Sequence, residues 1–190
     1  MIVSILGPSG SGKDTQAKLL VDRYNLINIS TGRLMREEID KATKTGQIID
    51  SYISKGKWVP DNITFELLKH NLPKSKNEQG YVLNGFPRTE AQIFLLDDLL
   101  KKREEALDAV IHFMLDDEEV MRRMRKQADE EEERSDLQTK IMKQRLLSYK
   151  LTIKPVLSEY KSRGKLIQVD ASPSIEEVNK SIMEKIKDIK

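Results

Sequence analysis

Short apolar runs alternate along this chain with longer stretches in which apolar residues recur at helical spacing. Ile2–Leu6 is almost wholly apolar and stops at Gly7-Pro8, which predicts a buried strand. Lys13–Tyr24 then predicts a helix carrying Ala17, Leu20, Val21 and Tyr24 on one face. Further strands are expected at Leu26–Ile29, Tyr81–Leu83, Ala109–Leu115 and Lys165–Val169. Helices are expected at Leu34–Ala42, Ile48–Lys55, Ile63–Lys69, Glu90–Lys102, Glu118–Lys126 and Ile175–Ile186. Another covers Leu137–Arg163, with a break expected before Pro155. Strand–helix alternation of this kind predicts an α/β fold: five strands in an open parallel sheet, with helices on both faces. In such sheets ligands gather at the carboxyl ends of strands. Three candidate motifs fall there, after Leu6, after Ile29 and after Leu83. Two segments depart from the alternation. Ser30–Val59 is helical with no strand, and an acidic run, Asp129–Glu133, follows the basic cluster Arg122, Arg123, Arg125 and Lys126. Both read as flaps on the sheet.

Composition narrows the chemistry. The 190 residues suffice for one domain with a core, and 38% hydrophobic against 34% charged residues describes a soluble protein with a charged surface. A net charge of +2 argues against nucleic acid or membrane as a partner, so any basic site is local. The absence of cysteine excludes disulfides and thiolate metal sites, and fits a cytoplasmic location. The apolar start lacks a basic n-region and ends at Gly7, too short for a signal peptide or a span. With only His70 and His112, neither Ser-His-Asp chemistry nor a histidine metal cluster is expected.

Gly7-Pro8-Ser9-Gly10-Ser11-Gly12-Lys13-Asp14-Thr15 follows a strand and opens a helix. It holds the G-x-x-x-x-G-K core of a phosphate loop. Glycines let the backbone wrap a phosphate with its N–H groups inward, the helix N-terminus adds partial positive charge, and Lys13 serves the β- and γ-phosphates. The plainer reading, a glycine-rich turn, leaves the lysine and its spacing unexplained. Asp14 stands where the general loop has Ser or Thr for Mg²⁺. It is either a helix-dipole cap or a group that holds Mg²⁺ through water.

The loop form with one residue between Lys and Thr, followed by Gln16, resembles the adenylate kinase family. So do Ile29-Ser30-Thr31-Gly32-Arg33-Leu34-Met35-Arg36, Gly56-Lys57-Trp58-Val59-Pro60-Asp61, and Leu83-Asn84-Gly85-Phe86-Pro87-Arg88-Thr89 with Gln92. Arg134-Ser135-Asp136 and Arg145 look like that family's arginines at the lid end and on the next helix. The likeness runs in order over nearly the whole chain. It implies a P-loop NTPase fold with the core in 1–29, 60–120 and 137–190, an NMP-binding flap in 30–59, and a short, zinc-free lid in 121–136. It also implies reversible transfer of the ATP γ-phosphoryl group to AMP, with Mg²⁺, in a cytoplasmic monomer.

Roles carried over from the resemblance fall into three sets. Gly7, Ser9, Gly10, Ser11, Gly12, Lys13, Asp14 and Thr15 would hold ATP, with the backbone at Ala171 and Ser172 beside adenine. Thr31, Arg36, Lys57, Trp58, Val59, Gly85, Arg88 and Gln92 would hold AMP. Lys13, Arg88, Arg123, Arg134 and Arg145 would clamp the moving phosphoryl group, since such transfer needs positioning and charge neutralisation. Arg122 and Arg125 compete with Arg123 for its place. Plainer readings stand beside several: Thr31 as a helix N-cap, and Thr89-Glu90-Ala91-Gln92 as a capping box. The chain departs from the family at Asp14 (usually Gly), Arg33 (Asp), Asn84 (Asp) and Gln127 (Arg). Asp14 would supply across the cleft the carboxylate that Asn84 lacks. The acidic run reads either as a solvated tip or as a partner for Arg122–Lys126 that would bias the lid open. Thr31 and Thr89 favour AMP over UMP or CMP as acceptor. The departures leave a nucleotide-binding regulator with weak turnover as the reading from another class.

Overall fold

The computed structural model describes residues 1–73, 80–130, 139–187 and 189. Five strands and eight helices are laid down in the order β1 (Ile2–Leu6), α1 (Lys13–Tyr24), β2 (Ile27–Ser30), α2 (Thr31–Asp40), α3 (Lys44–Ile53), α4 (Asp61–Asn71), β3 (Tyr81–Asn84), α5 (Glu90–Lys102), β4 (Ala109–Met114), α6 (Asp117–Glu130), α7 (Thr139–Ser162), β5 (Leu166–Asp170) and α8 (Ile175–Ile186). The strands form one parallel sheet in the order β2-β3-β1-β4-β5. Register sets Ser30 beside Asn84 and Leu6 beside His112, so the loops leaving β1, β2 and β3 emerge from one edge.

Alternation along each strand divides the core between two layers. Val3, Ile5, Val82 and Ile111 pack with Ala17 and Leu20 of α1 and Val178 and Ile182 of α8. Ile2, Leu6, Leu83 and Val110 pack with Leu96 of α5 and with Tyr149, Ile153 and Val156 of α7 on the other face. Burying one such aliphatic side chain contributes about 1.5–3 kcal/mol. β1 is therefore buried along its whole length. Among the described residues no helix is long and apolar enough to cross a membrane.

Several boundaries differ from expectation for local reasons. α2 opens at Thr31, not Leu34, and its N-cap is Ser30, whose Oγ accepts from the Arg33 N–H at 3.4 Å. Thr31 is therefore not the cap. α2 stops at Asp40, before Ala42 turns to φ 50°. α3 starts early because Thr43 caps it through the Gly46 N–H at 2.8 Å, and Gly46 lies against the Glu38 carbonyl, where a Cβ would come within 2.0 Å. α7 passes through Pro155 unbroken. The carbonyl left without its helical donor belongs to Leu151, a residue 70% exposed. Tyr24, expected on the packed face of α1, is exposed, and the buried face holds Lys13 and Gln16 instead.

Candidate active site

The turn after β1 folds as a phosphate loop. Gly10 and Gly12 adopt φ 77° and 82°, which side chains resist, and Gly12 stands at the N-cap of α1. Gly7 lies so close to Ser11 that an added Cβ would fall 2.6 Å from its Oγ. Lys13 is buried and donates from Nζ to the Pro8 carbonyl at 3.2 Å. Its pKa is lowered to about 8, first because burial strips water from the ammonium, and further by Arg88, Arg145 and Arg36; Asp14 opposes the shift. Burial also lowers the pKa of Arg88.

Two cavities open along the carboxyl edge of the sheet. The smaller is polar and includes Ser9, Gly10, Lys13, Asp14, Asn84 and Gln127. The larger lies between α2, α3, α4 and α5, and includes Thr31, Lys57, Trp58, Val59, Gly85 and Gln92. Gly32, Arg36, Arg88 and Arg145 line both. The three guanidiniums thus stand where the cavities meet, within the electrostatic field that depresses Lys13.

Local hydrogen bonds hold these groups. Arg88 donates from Nε to the Gly85 carbonyl at 2.7 Å and lies 4.7 Å from the centre of the Trp58 ring, a cation–π distance. Gly85, at φ 82°, leaves room for this: an added Cβ would sit 2.5 Å from Arg88 Nη2. Thr31 is buried and donates from Oγ1 to the same Gly85 carbonyl at 3.2 Å. Thr89 caps α5, accepting from the Gln92 N–H at 3.1 Å. The expected capping box does not close. Gln92 Oε1 accepts from the Arg88 N–H at 2.7 Å, and Gln92 Nε2 donates to Asp61 at 2.6 Å.

In the smaller cavity Asn84 donates from Nδ2 to Asp14 Oδ1 at 2.7 Å, so the two departures are in contact. Asn84 is 1% exposed and its Oδ1 has no hydrogen-bond partner; Ser11 Oγ is buried in the same condition. A carboxylate and a buried amide oxygen on one polar cavity are hard donors suited to Mg²⁺ or its water shell.

Arg123 separates from its neighbours. Its Nη2 donates to the Ser172 carbonyl at 3.3 Å, and its Cβ packs against Gly10. Arg122 instead forms a two-point pair with Glu119, at 2.6 Å for each bond, and Glu119 also holds Arg123 Nε at 2.6 Å. Ala171 is buried beside the Arg123–Ser172 contact. Thr15 is exposed on α1, as is Lys57 between α3 and α4. Arg33 turns outward to the Asn28 carbonyl at 3.1 Å and to Glu37 and lines neither cavity. Arg134, Ser135 and Asp136 lie outside the described residues, as do Glu131–Glu133 and the side chains of Asp129 and Glu130, and with them the pairing expected of the acidic run. Asp61 was not expected as a site residue. Its only signal was its place at the end of the Gly56–Asp61 hinge segment.

A parallel α/β sheet with a phosphate loop, and a second cavity joined to it through shared arginines, defines a P-loop phosphotransferase with two substrate sites. The family model described as "Adenylate kinase" matches residues 5–165. The chain is 36% identical over 184 residues to an adenylate kinase of Azobacteroides pseudotrichonymphae, covering 97% of this chain and 96% of that protein. It is 39% identical over 183 residues to one of Pseudarthrobacter chlorophenolicus, covering 96% and 95% respectively. A third, of Archaeoglobus fulgidus, is 34% identical over 216 aligned positions, covering 98% of this chain and all of that protein. The chain belongs to the adenylate kinase family.

Proposed function

We propose that the protein transfers the γ-phosphoryl group of ATP reversibly to AMP, giving two ADP, as a cytoplasmic monomer using Mg²⁺. One observation carries this reading: Gly32, Arg36, Arg88 and Arg145 line both cavities. Two nucleotides seated with their anionic tails toward one another bring donor and acceptor phosphates to that junction. There the guanidiniums offset the charge that otherwise keeps the tails apart. Lys13 and the loop N–H groups from Gly7 to Thr15 hold the donor phosphates, and Ala171 and Ser172 border its base. Arg36 and Arg88 hold the acceptor phosphate. Arg123, Arg134 and Arg145 attend the group in flight. Thr31, Lys57, Trp58, Val59, Gly85 and Gln92 surround the acceptor base and sugar. Mg²⁺, when bound, neutralises charge on the donor phosphates; Asp14 and Asn84 would hold it through water. In this scheme 30–59 is the acceptor flap and 121–136 the lid, and their closure excludes water that would otherwise hydrolyse ATP.

The test is to incubate the protein with MgATP and each nucleoside monophosphate in turn and to quantify diphosphates. AMP is expected to be the best acceptor, and Lys13→Met to abolish formation. Preference for UMP or CMP would replace the acceptor assignment, and tight ATP binding without transfer would replace the enzyme by a regulator.

A further inference from the structure

Gln92 lines the larger cavity and is 4% exposed. Two groups of opposite character hold its amide. The Arg88 backbone N–H donates to Oε1 at 2.7 Å, and Asp61 Oδ1 accepts from Nε2 at 2.6 Å. A backbone N–H only donates and a carboxylate only accepts, so a flipped amide would set donor against donor and acceptor against acceptor. Asp61 is itself anchored, since its Oδ2 accepts from Thr89 Oγ1 at 2.9 Å. Asp61 opens α4 while Thr89 and Gln92 belong to the start of α5, so the lock joins two of the helices that flank the cavity.

The amide keeps one further proton on Nε2 and one further lone pair on Oε1. Its order of donor and acceptor is then set before any ligand arrives. A 6-aminopurine presents an acceptor at N1 and a donor at its amino group, which match that pair. A 6-oxopurine presents the reverse, a donor at N1 and an acceptor at O6. An unlocked glutamine would turn to suit either. We propose that Asp61 is a specificity-determining positioning residue: by fixing the Gln92 amide it makes the acceptor site accept 6-aminopurine and reject 6-oxopurine monophosphates. This rests on the reading that Gln92 faces the acceptor base.

The experiment compares kcat/KM for AMP and IMP, which differ only at the six-position and N1. A variant that merely loosens the fold lowers both alike, whereas a lost lock changes their ratio. Wild type is expected to favour AMP by about 100-fold or more, the scale on which a site with buried polar groups rejects a mismatched partner. Asp61→Ala is expected to lower that ratio about ten-fold, mainly through a gain with IMP. The pair Asp61→Asn with Gln92→Glu keeps a hydrogen bond between the two positions but leaves only acceptors toward the base. It is expected to fold and to bring the ratio toward parity, while Gln92→Glu alone, facing the Asp61 carboxylate, loses activity with both. A folded Asp61→Ala or double variant with the wild-type ratio overturns the lock, and an unchanged ratio in Gln92→Ala overturns it as well. Wild type that fails to phosphorylate AMP at all overturns instead the function on which it rests.

Discussion

The two cavities meet at the same arginines yet differ in how their polar groups are held. On the wall of the larger one Thr89, Asp61, Gln92 and the Arg88 N–H form one hydrogen-bonded chain, and Trp58 Nε1 is left without a partner. On the phosphate side burial leaves charge and dipoles unanswered, with Lys13 depressed to about 8 and Asn84 Oδ1 and Ser11 Oγ without partners. Under the proposed function the difference follows from what each side would meet. A neutral base edge would be read by a pattern of donors and acceptors set in advance. A polyphosphate would be met by cations that give up stability in its absence. The same kind of deletion is therefore expected to have opposite signs in the two places.

The largest effect tests the phosphate side. Lys13→Met is expected to lower turnover by about 100-fold or more, as does loss of a charged group aimed at the reacting phosphates. It is also expected to stabilise the nucleotide-free protein, because it removes a buried cation. A folded-state pKa of about 8 against 10.5 in the unfolded chain corresponds to at most about 3 kcal/mol. The unfolded chain binds the Lys13 proton more tightly, so the penalty is fully present below pH 8. Wild-type stability should recover as pH rises from about 8 to 10.5, and the variant should lack this rise. Urea denaturation of both proteins across that range measures it; a variant less stable than wild type at neutral pH would break the contrast.

On the acceptor side the sign reverses. Asp61→Ala leaves Gln92 Nε2 and Thr89 Oγ1 without their acceptor, and is expected to destabilise the free protein by about 1–3 kcal/mol. Denaturation monitored through Trp58, the sole tryptophan, measures this at the edge of the same cavity. The metal side should move less. Asp14→Asn preserves an oxygen for Asn84 and removes only the charge, so the Mg²⁺ concentration giving half of the thermal stabilisation seen with ATP should rise about five-fold. No change would mean that Asp14 is a helix-dipole cap and nothing more.

What was legible along the chain was local. β1, α1, α5 and α8 begin and end where the apolar pattern and punctuation place them, because Gly7-Pro8, Thr89 and Ser174 mark their ends in neighbouring residues. The phosphate loop was legible for the same reason. Choices that depend on a partner elsewhere were not. Arg122 and Arg123 differ by one position and share Glu119, and the packing of α6 on Gly10 is what brings Arg123, not Arg122, to the Ser172 carbonyl. Asp61 reaches Gln92 across 31 positions, so its role follows from how α4 meets α5. Ser30 ends β2 and caps α2 at once, a double use that moved the cap by one residue. Contact between Asp14 and Asn84 spans 70 positions. The sequence links the two because each, taken alone, sits oddly for its motif, but it sets them across the cleft and does not show this direct hydrogen bond.

The smallest predicted effect separates a functional penalty from an incidental one. His112 is also a basic group, partly buried on β4 outside the lining of both cavities, with Nε2 3.1 Å from the Tyr149 hydroxyl and its covered Nδ1 unpartnered. Burial pushes its pKa from 6.5 to about 4. The unfolded chain then binds the proton more readily, so stability is lost as pH falls from 6.5 toward 4, by at most about 1 kcal/mol at pH 6. His112→Gln keeps a partner for Tyr149 and should remove that part of the acid sensitivity, seen as the difference between the two denaturation series at pH 6 and pH 7.5. If unanswered burial on the phosphate side serves ligand binding, ATP should relieve the Lys13 penalty and leave the His112 difference unchanged. Should ATP abolish both, the two penalties would report one general stabilisation of the fold, and the contrast between the cavities would lose its meaning.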